Sequence, residues 1–154
     1  MTALEKLLEE YGESHQNKTN KLVHWICVPA IFFSIVGLFY SIKLPFFILP
    51  DIQLNIAHLL ILATLVYYFN LSKTLSVGLF TFEIICLWLC YIIEEEGLTL
   101  WLISILIFVS AWIGQFWGHK IEGKKPSFFK DLQFLLIGPA WLLSFIYKKL
   151  EIKL

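Results

Sequence analysis

Four long apolar runs, separated by short polar connections, decide which solvent this chain can fold in. They cover residues 22–42, about 54–69, 74–93 and 98–117. Each approaches or reaches the roughly 20 residues that a helix needs to cross a hydrocarbon core. The second is the shortest, a mismatch that little tilt or a local thinning of the bilayer accommodates. Hydrophobic residues make up 58% of the 154 positions and charged residues only 16%. A water-soluble domain this small could not hide so much apolar surface. The expectation is an all-α integral membrane bundle of about four transmembrane helices, with residues 1–154 forming a single membrane-embedded domain.

Two further segments complete that expectation. At the N-terminus, Thr2 and Glu5 have the spacing of a capping box. Leu4, Leu7, Leu8 and Tyr11 then recur at helical spacing, opposite Glu5, Glu9, Glu10 and Glu13. This predicts a short amphipathic helix at the membrane surface or against the bundle. The stretch is charged and has no apolar core before a small-residue cleavage site, unlike a cleaved signal peptide. Near the other end, residues 132–147 are apolar but interrupted by Gly138-Pro139. Lysine placement decides how to read them. With four crossings and a cytoplasmic N-terminus, every lysine except Lys43 lies inside, and Glu94, Glu95 and Glu96 lie outside. A fifth crossing would move Lys148, Lys149 and Lys153 outside and spoil the bias. The segment is therefore read as re-entrant or interfacial, with both termini cytoplasmic. The connection around residues 45–51, which contains proline, reads as a loop.

Composition also narrows the function. All twelve basic residues are lysine, and no basic stripe interleaved with exposed aromatics argues for nucleic acid. Cys27, Cys86 and Cys90 all fall in apolar runs. Cys86 and Cys90 share a helix face, but small buried hydrophobes is the simpler reading. No feature fixes an oligomeric state.

Polar residues near the membrane carry the rest of the information. The topology brings His15, His24 and His119 to one boundary, the cytoplasmic one, although they are far apart in the sequence. His15 and His24 converge only if the helix breaks between them, and residues 16–20 are polar enough, with Thr19 or Asn20 capping the next helix. Asn20 and His24 share a face. Pro29 removes the backbone bond that would reach back to Trp25. His119 and Glu122 are three apart, so both can reach one ion. Imidazoles with a carboxylate suit zinc, iron, copper or nickel, and composition does not choose among them. His58 and Glu83 lie deeper, at loosely similar depth, where they form either a polar clasp between helices or an addition to the site. Three function classes stay open on these residues: a metal-dependent enzyme, a metal-binding or metal-transport protein using His58 and Glu83 as a polar path, and a non-enzymatic scaffold.

Two strings point further. The first is His15-Gln-Asn-Lys-Thr-Asn20-Lys-Leu-Val-His24, followed by Pro29. The second is Gln115-Phe-Trp-Gly118-His119-Lys-Ile-Glu122-Gly-Lys-Lys-Pro126, followed by Asp131 and Gly138-Pro139. Together they resemble the two signatures of the 2-hydroxy fatty acid dioxygenase family, known from fungal phytosphingosine breakdown, and the resemblance spans nearly the whole chain. Cys27, where members often have glycine, and Ser127, where alanine is common, are modest departures. The resemblance implies an Fe(2+)-dependent enzyme that shortens a 2-hydroxy fatty acid by one carbon with O2 and without 2-oxoglutarate. It implies His15, His24 and His119 as metal ligands, with Asn20, Gln115, Glu122 and Pro126 accompanying them. Glu122 is then a ligand, a partner orienting His119 or a surface charge, the second being preferred. Lys124 or Lys125 could neutralise the substrate carboxylate, or serve simply as positive-inside lysines. His58 lies outside both signatures. The implied location is the inner membrane for a bacterial chain and the endoplasmic reticulum for a eukaryotic one.

Overall fold

The computed structural model describes residues 2–123 and 134–154. Six α-helices and one β-hairpin account for most of them: α1 (Ala3–Glu13), α2 (Lys18–Tyr40), β1 (Lys43–Leu49), β2 (Ile52–Asn55), α3 (Ile56–Leu71), α4 (Lys73–Glu95), α5 (Leu100–Glu122) and α6 (Ile137–Lys149). Helices α2, α4 and α5 are each 23 residues long and apolar enough to cross a membrane. Helix α3 is equally apolar but has 16 residues. The outer faces of these helices expose large apolar side chains such as Leu22, Leu62, Val77 and Leu106. Water would penalise such a surface and lipid does not, so the protein associates with a membrane.

Local chemistry explains where the helices start and stop. Thr2 and Glu5 form the reciprocal capping box, 2.6 Å and 3.2 Å long, that their spacing predicts. The second cap differs from expectation. Asn17 accepts from Thr19 N–H at 2.8 Å and Asn20 N–H at 3.3 Å, so α2 begins one residue later, ahead of the anticipated Thr19 and Asn20. An amide oxygen reaches two of the orphan donors there, and Asn20 is freed for another role. Helix α2 runs unbroken through Pro29. Ser72 alone joins α3 to α4, and its hydroxyl accepts from Leu75 N–H at 3.1 Å. Gly123 ends α5 at φ 73, a left-handed turn that glycine adopts without a Cβ clash.

The connection read as a loop is an antiparallel hairpin, with Lys43 paired to Asn55 and Leu49 to Ile52. Residues 46–49, Phe-Phe-Ile-Leu, have the aromatic and β-branched character that a strand favours. Pro45 is tolerated because the two-stranded ribbon consists only of edges. Gly138-Pro139 does not interrupt the C-terminal helix either. Both residues lie in the first turn of α6, where proline lacks only an N–H that has no intrahelical partner. With 13 residues, α6 is about 20 Å long, too short for a ~30 Å core.

Helix α2 is central, with α5 on one side and α3 and α4 on the other. The α2–α5 seam is closed by small residues. A Cβ on Gly118 would strike the Asn20 side chain, one on Gly114 would come within 2.7 Å of Cys27 Sγ, and one on Gly37 would strike Ser104. Gly114-Gln-Phe-Trp-Gly118 is a small-xxx-small pattern, which lets membrane helices approach closely where lipid leaves packing as the main attraction. Helix α6 closes one end of the bundle. Tyr68 donates its hydroxyl to the Leu136 carbonyl at 2.8 Å and Tyr147 to the Thr74 carbonyl at 3.0 Å. On its other side α6 packs against α1.

Candidate metal centre

Three elements meet under α6: the turn between α1 and α2, the first turns of α2, and the last turn of α5. Each contributes one buried histidine. His15 follows α1, His24 lies in α2 and His119 ends α5. One ligand atom from each of the three lies within 4.8 Å of the others. Ring centroids are 4.1 Å apart for His15 and His24, 5.4 Å for His15 and His119, and 5.2 Å for His24 and His119.

The backbone sets the state of two of these rings. His15 Nδ1 lies 2.6 Å from the Tyr11 carbonyl, and His24 Nδ1 lies 2.9 Å from the Asn20 carbonyl. A carbonyl oxygen only accepts, so each Nδ1 must carry its hydrogen and donate it. In a neutral imidazole the remaining nitrogen is then an acceptor. These two Nε2 atoms face each other at 2.7 Å. Two lone pairs so close repel unless a cation stands with them. Donation of the second ring N–H to a backbone carbonyl is also the arrangement that metal-ligating histidines use to fix tautomer and orientation. The donor set therefore fits a transition-metal ion, iron included.

Aromatic packing holds His15 in place. Its ring stacks on Tyr11 with centroids 4.3 Å apart and planes 9° from parallel, and Trp141 of α6 lies 5.3 Å away. A Cβ on Gly138 would come within 2.9 Å of Val28 and 3.1 Å of the Tyr11 hydroxyl, so the glycine lets α6 settle over the site. These supports escaped the sequence reading. Tyr11 stood one helical turn before His15 as part of an apolar stripe, and Trp141 followed Gly138-Pro139, but neither spacing distinguishes a support from ordinary core.

Glu122 reaches across to the turn between α1 and α2. Its carboxylate accepts from the N–H groups of Gln16 at 2.8 Å and Asn17 at 3.0 Å, and from Asn20 Nδ2 at 2.9 Å. It thereby pins the end of α5 to the turn that carries His15. Asn20 completes the clamp, since the same residue accepts from His24 through its carbonyl. Gln115 is buried one turn before His119 and lines a small cavity, about 30 Å³, with His24 and His119.

His58 is remote from this cluster. It caps α3, where its Nδ1 accepts from Asn55 N–H at 3.2 Å, and its ring lies 6.0 Å from Tyr40. Tyr40 ends α2, sixteen positions and about 24 Å of helix from His24. The anticipated His58–Glu83 bond does not form. Glu83 is fully buried and pairs instead with the Thr64 hydroxyl at 2.5 Å. Thr64 lies six positions, about one and two-thirds turns, further along α3 than His58, the depth that Glu83 reaches. Lys124 and Lys125 lie outside the described residues, as do Pro126, Ser127 and Asp131. Cys27, Cys86 and Cys90 are buried and free.

No curated protein and no solved structure gives a significant match to this chain. A family does match, over residues 1–150, and it is described as Mpo1-like, 2-hydroxy-palmitic acid dioxygenase Mpo1-like. That span takes in all three histidines and all six helices, and the chain belongs to the Mpo1-like family.

Proposed function

We propose that the protein is a membrane-embedded, iron(II)-dependent dioxygenase that converts a 2-hydroxy fatty acid to the acid one carbon shorter. The observation that carries this reading is the pair of Nε2 lone pairs facing each other beside His119, all within a family named for that activity. The reaction balances without a further reductant. One 2-hydroxy acid and one O2 give the shortened acid, CO2 and water, so the substrate supplies all four electrons and 2-oxoglutarate has no part.

His15, His24 and His119 hold the ion. Bound there, iron(II) supplies the one-electron chemistry that lets O2 react with a closed-shell acid. Three protein ligands leave room for substrate and O2. The Tyr11 and Asn20 carbonyls keep His15 and His24 in the tautomer that offers Nε2. Glu122 and Asn20 hold the α1–α2 turn against α5, so that residues from opposite ends of the chain keep one spacing. Gln115 reaches the cavity beside His24 as a polar contact for the substrate head. Lys124 or Lys125 neutralises the substrate carboxylate.

In the bilayer, α2, α3, α4 and α5 cross, both termini are cytoplasmic, and α1 and α6 lie at that interface over the metal. The hairpin and the 2.6 Å Lys43–Glu94 ion pair belong to the opposite face. Helix α3, about 24 Å long, crosses where the bilayer thins toward it. A bacterial chain then occupies the inner membrane and a eukaryotic one the endoplasmic reticulum.

The test is protein purified without oxygen. It should carry one iron per chain and release CO2 from 2-hydroxypalmitic acid on exposure to air, with no 2-oxoglutarate added. Zinc in place of iron with no oxygen uptake would turn the reading toward metal binding. Metal-free protein indifferent to alanine at His24 and His119 would leave a scaffold.

A further inference from the structure

The cavity beside the histidines is small, about 30 Å³. It has room for a small polar head and none for an acyl tail, so a long tail must leave it. Two of its walls, Trp112 and Leu135, are also walls of a second space, an open groove of about 420 Å³. Apart from the indole nitrogen of Trp112, that groove is lined wholly by hydrocarbon and aromatic rings.

The two spaces follow one line along α2. His24, Val28 and Ile31 line the cavity, and Ile35, Leu38 and Ile42 line the groove. Steps of four, three, four and three place the first five on one face of α2, and Ile42 follows just past its end. Across from them α5 contributes His119, Gln115, Trp112 and Phe108 in steps of four, three and four. Polar groups occupy one end of this track, and beyond Gln115 only the indole nitrogen of Trp112 remains. From His24 to Leu38 is fourteen positions, about 21 Å of helix, and Ile42 lies beyond. A bilayer core of ~30 Å holds two layers of lipid tails, so the track is longer than one full acyl chain.

Resting on the function proposed above, we infer that the tail of the 2-hydroxy acid leaves the metal site between Trp112 and Leu135 and lies in this α2–α5 groove. The depth of the groove then sets the chain length that the enzyme prefers. A head fixed by the metal and a tail running down the seam would keep the reacting carbon in register for acids of different length. The groove opens sideways to the bilayer, so substrate enters from the membrane without passing through water.

Ile35 and Leu38 are half-buried walls at successive depths, which makes the inference testable by blocking the groove. Ile35→Trp and Leu38→Trp would be assayed with 2-hydroxyoctanoic, 2-hydroxydodecanoic and 2-hydroxypalmitic acids, all at equal mole fraction in vesicles so that partitioning cancels. The readout is each acid's kcat/KM relative to the octanoic one. Overpacking a tail costs enough to lower the palmitic ratio about tenfold. Ile35→Trp should also depress the dodecanoic ratio, and Leu38→Trp should spare it. Leu62→Trp, on the exposed face of α3, serves as the control and should leave all ratios where they were. If one variant fails to accumulate, the other still reads the palmitic ratio. Parallel chain-length profiles in wild type and both groove variants, with active wild-type enzyme, would overturn the groove and leave the function standing. A wild type that turns over none of the three acids removes both.

Discussion

Two clusters of buried polar groups interrupt the apolar interior, and they differ in what their partners leave over. Between α3 and α4, Glu83 and Thr64 form a clasp, 2.5 Å long, that leaves a single carboxylate oxygen of Glu83 over. At the α6 end, His15 and His24 have their Nδ1 atoms satisfied by the backbone and still present two Nε2 atoms to each other, with His119 beside them. The clasp uses its polarity to join two helices. The histidine cluster turns three ring nitrogens toward one point after three elements are already joined. Buried polarity in a membrane bundle is thus a poor marker of function until the partners are known, and surplus donors aimed at one point are a better one.

Substitution should break this contrast in a fixed order. On the function proposed above, His24→Ala and His119→Ala remove two of the three ligands outright. We expect iron to fall from one per chain to near zero, a loss exceeding about a hundredfold in affinity, and CO2 release to vanish while helical circular dichroism persists. A chelator applied to the wild-type protein should do the same reversibly.

Gly118→Val comes next. Its side chain would collide with Asn20 and approach Val23, prising α5 from α2 at the level of His119. The expected cost is about 1–3 kcal/mol of stability, with iron affinity falling about tenfold or more. Gly114→Val strains the same seam one turn away and should spare the metal better, which titration of iron into both variants would show.

Glu122→Ala should cost about 1–2 kcal/mol, because a charged acceptor of three hydrogen bonds is lost at a half-exposed position. Glu122→Gln retains one acceptor oxygen and should recover part of both stability and iron affinity. A residue that was only surface charge would move neither. The clasp should respond through stability alone. Thr64→Val strips Glu83 of its hydroxyl partner and should cost about 1–3 kcal/mol, whereas Thr64→Val with Glu83→Leu removes both polar groups and should recover most of it. Iron content and turnover should stay level across that cycle; a change would dissolve the distinction between the clusters.

The smallest effect should come from pH at α1. The Thr2 backbone N–H, foremost among the influences on it, holds the Glu5 carboxyl below the usual carboxylate range. A depressed folded-state pKa means the capping box contributes fully above the ordinary carboxylate pKa and is lost as pH falls through the lower one. Helicity measured by circular dichroism should decline modestly over that acidic window and recover on neutralisation.

The apolar runs at α2, α4 and α5 were legible because lipid imposes a length and a composition on any helix that crosses it, and both are local properties of sequence. The Thr2–Glu5 cap was legible for the same reason, since its two bonds close within three residues. Lysine distribution set the expected topology, that expectation placed His15, His24 and His119 at one boundary, and the structure brings the three together. Beyond that, local pattern failed. Residues 45–51 looked like a loop because proline outweighed a strand-forming Phe-Phe-Ile-Leu run, and pairing between two strands is a nonlocal event. Gly138-Pro139 looked like an interruption because whether proline breaks a helix or begins one depends on where the helix starts.

The sequence by itself determined the solvent, the long apolar spans and the set of residues able to bind a metal. Only the tertiary structure decided that Nε2, and not Nδ1, points inward on His15 and His24. Only it decided that Glu83 answers Thr64 and not His58, and that Glu122 clamps a turn a hundred residues away. The physical reason is one of range. A helix and its cap are set by neighbours within about four positions, whereas a lone pair's direction depends on which carbonyl packing brings to the other side of the ring.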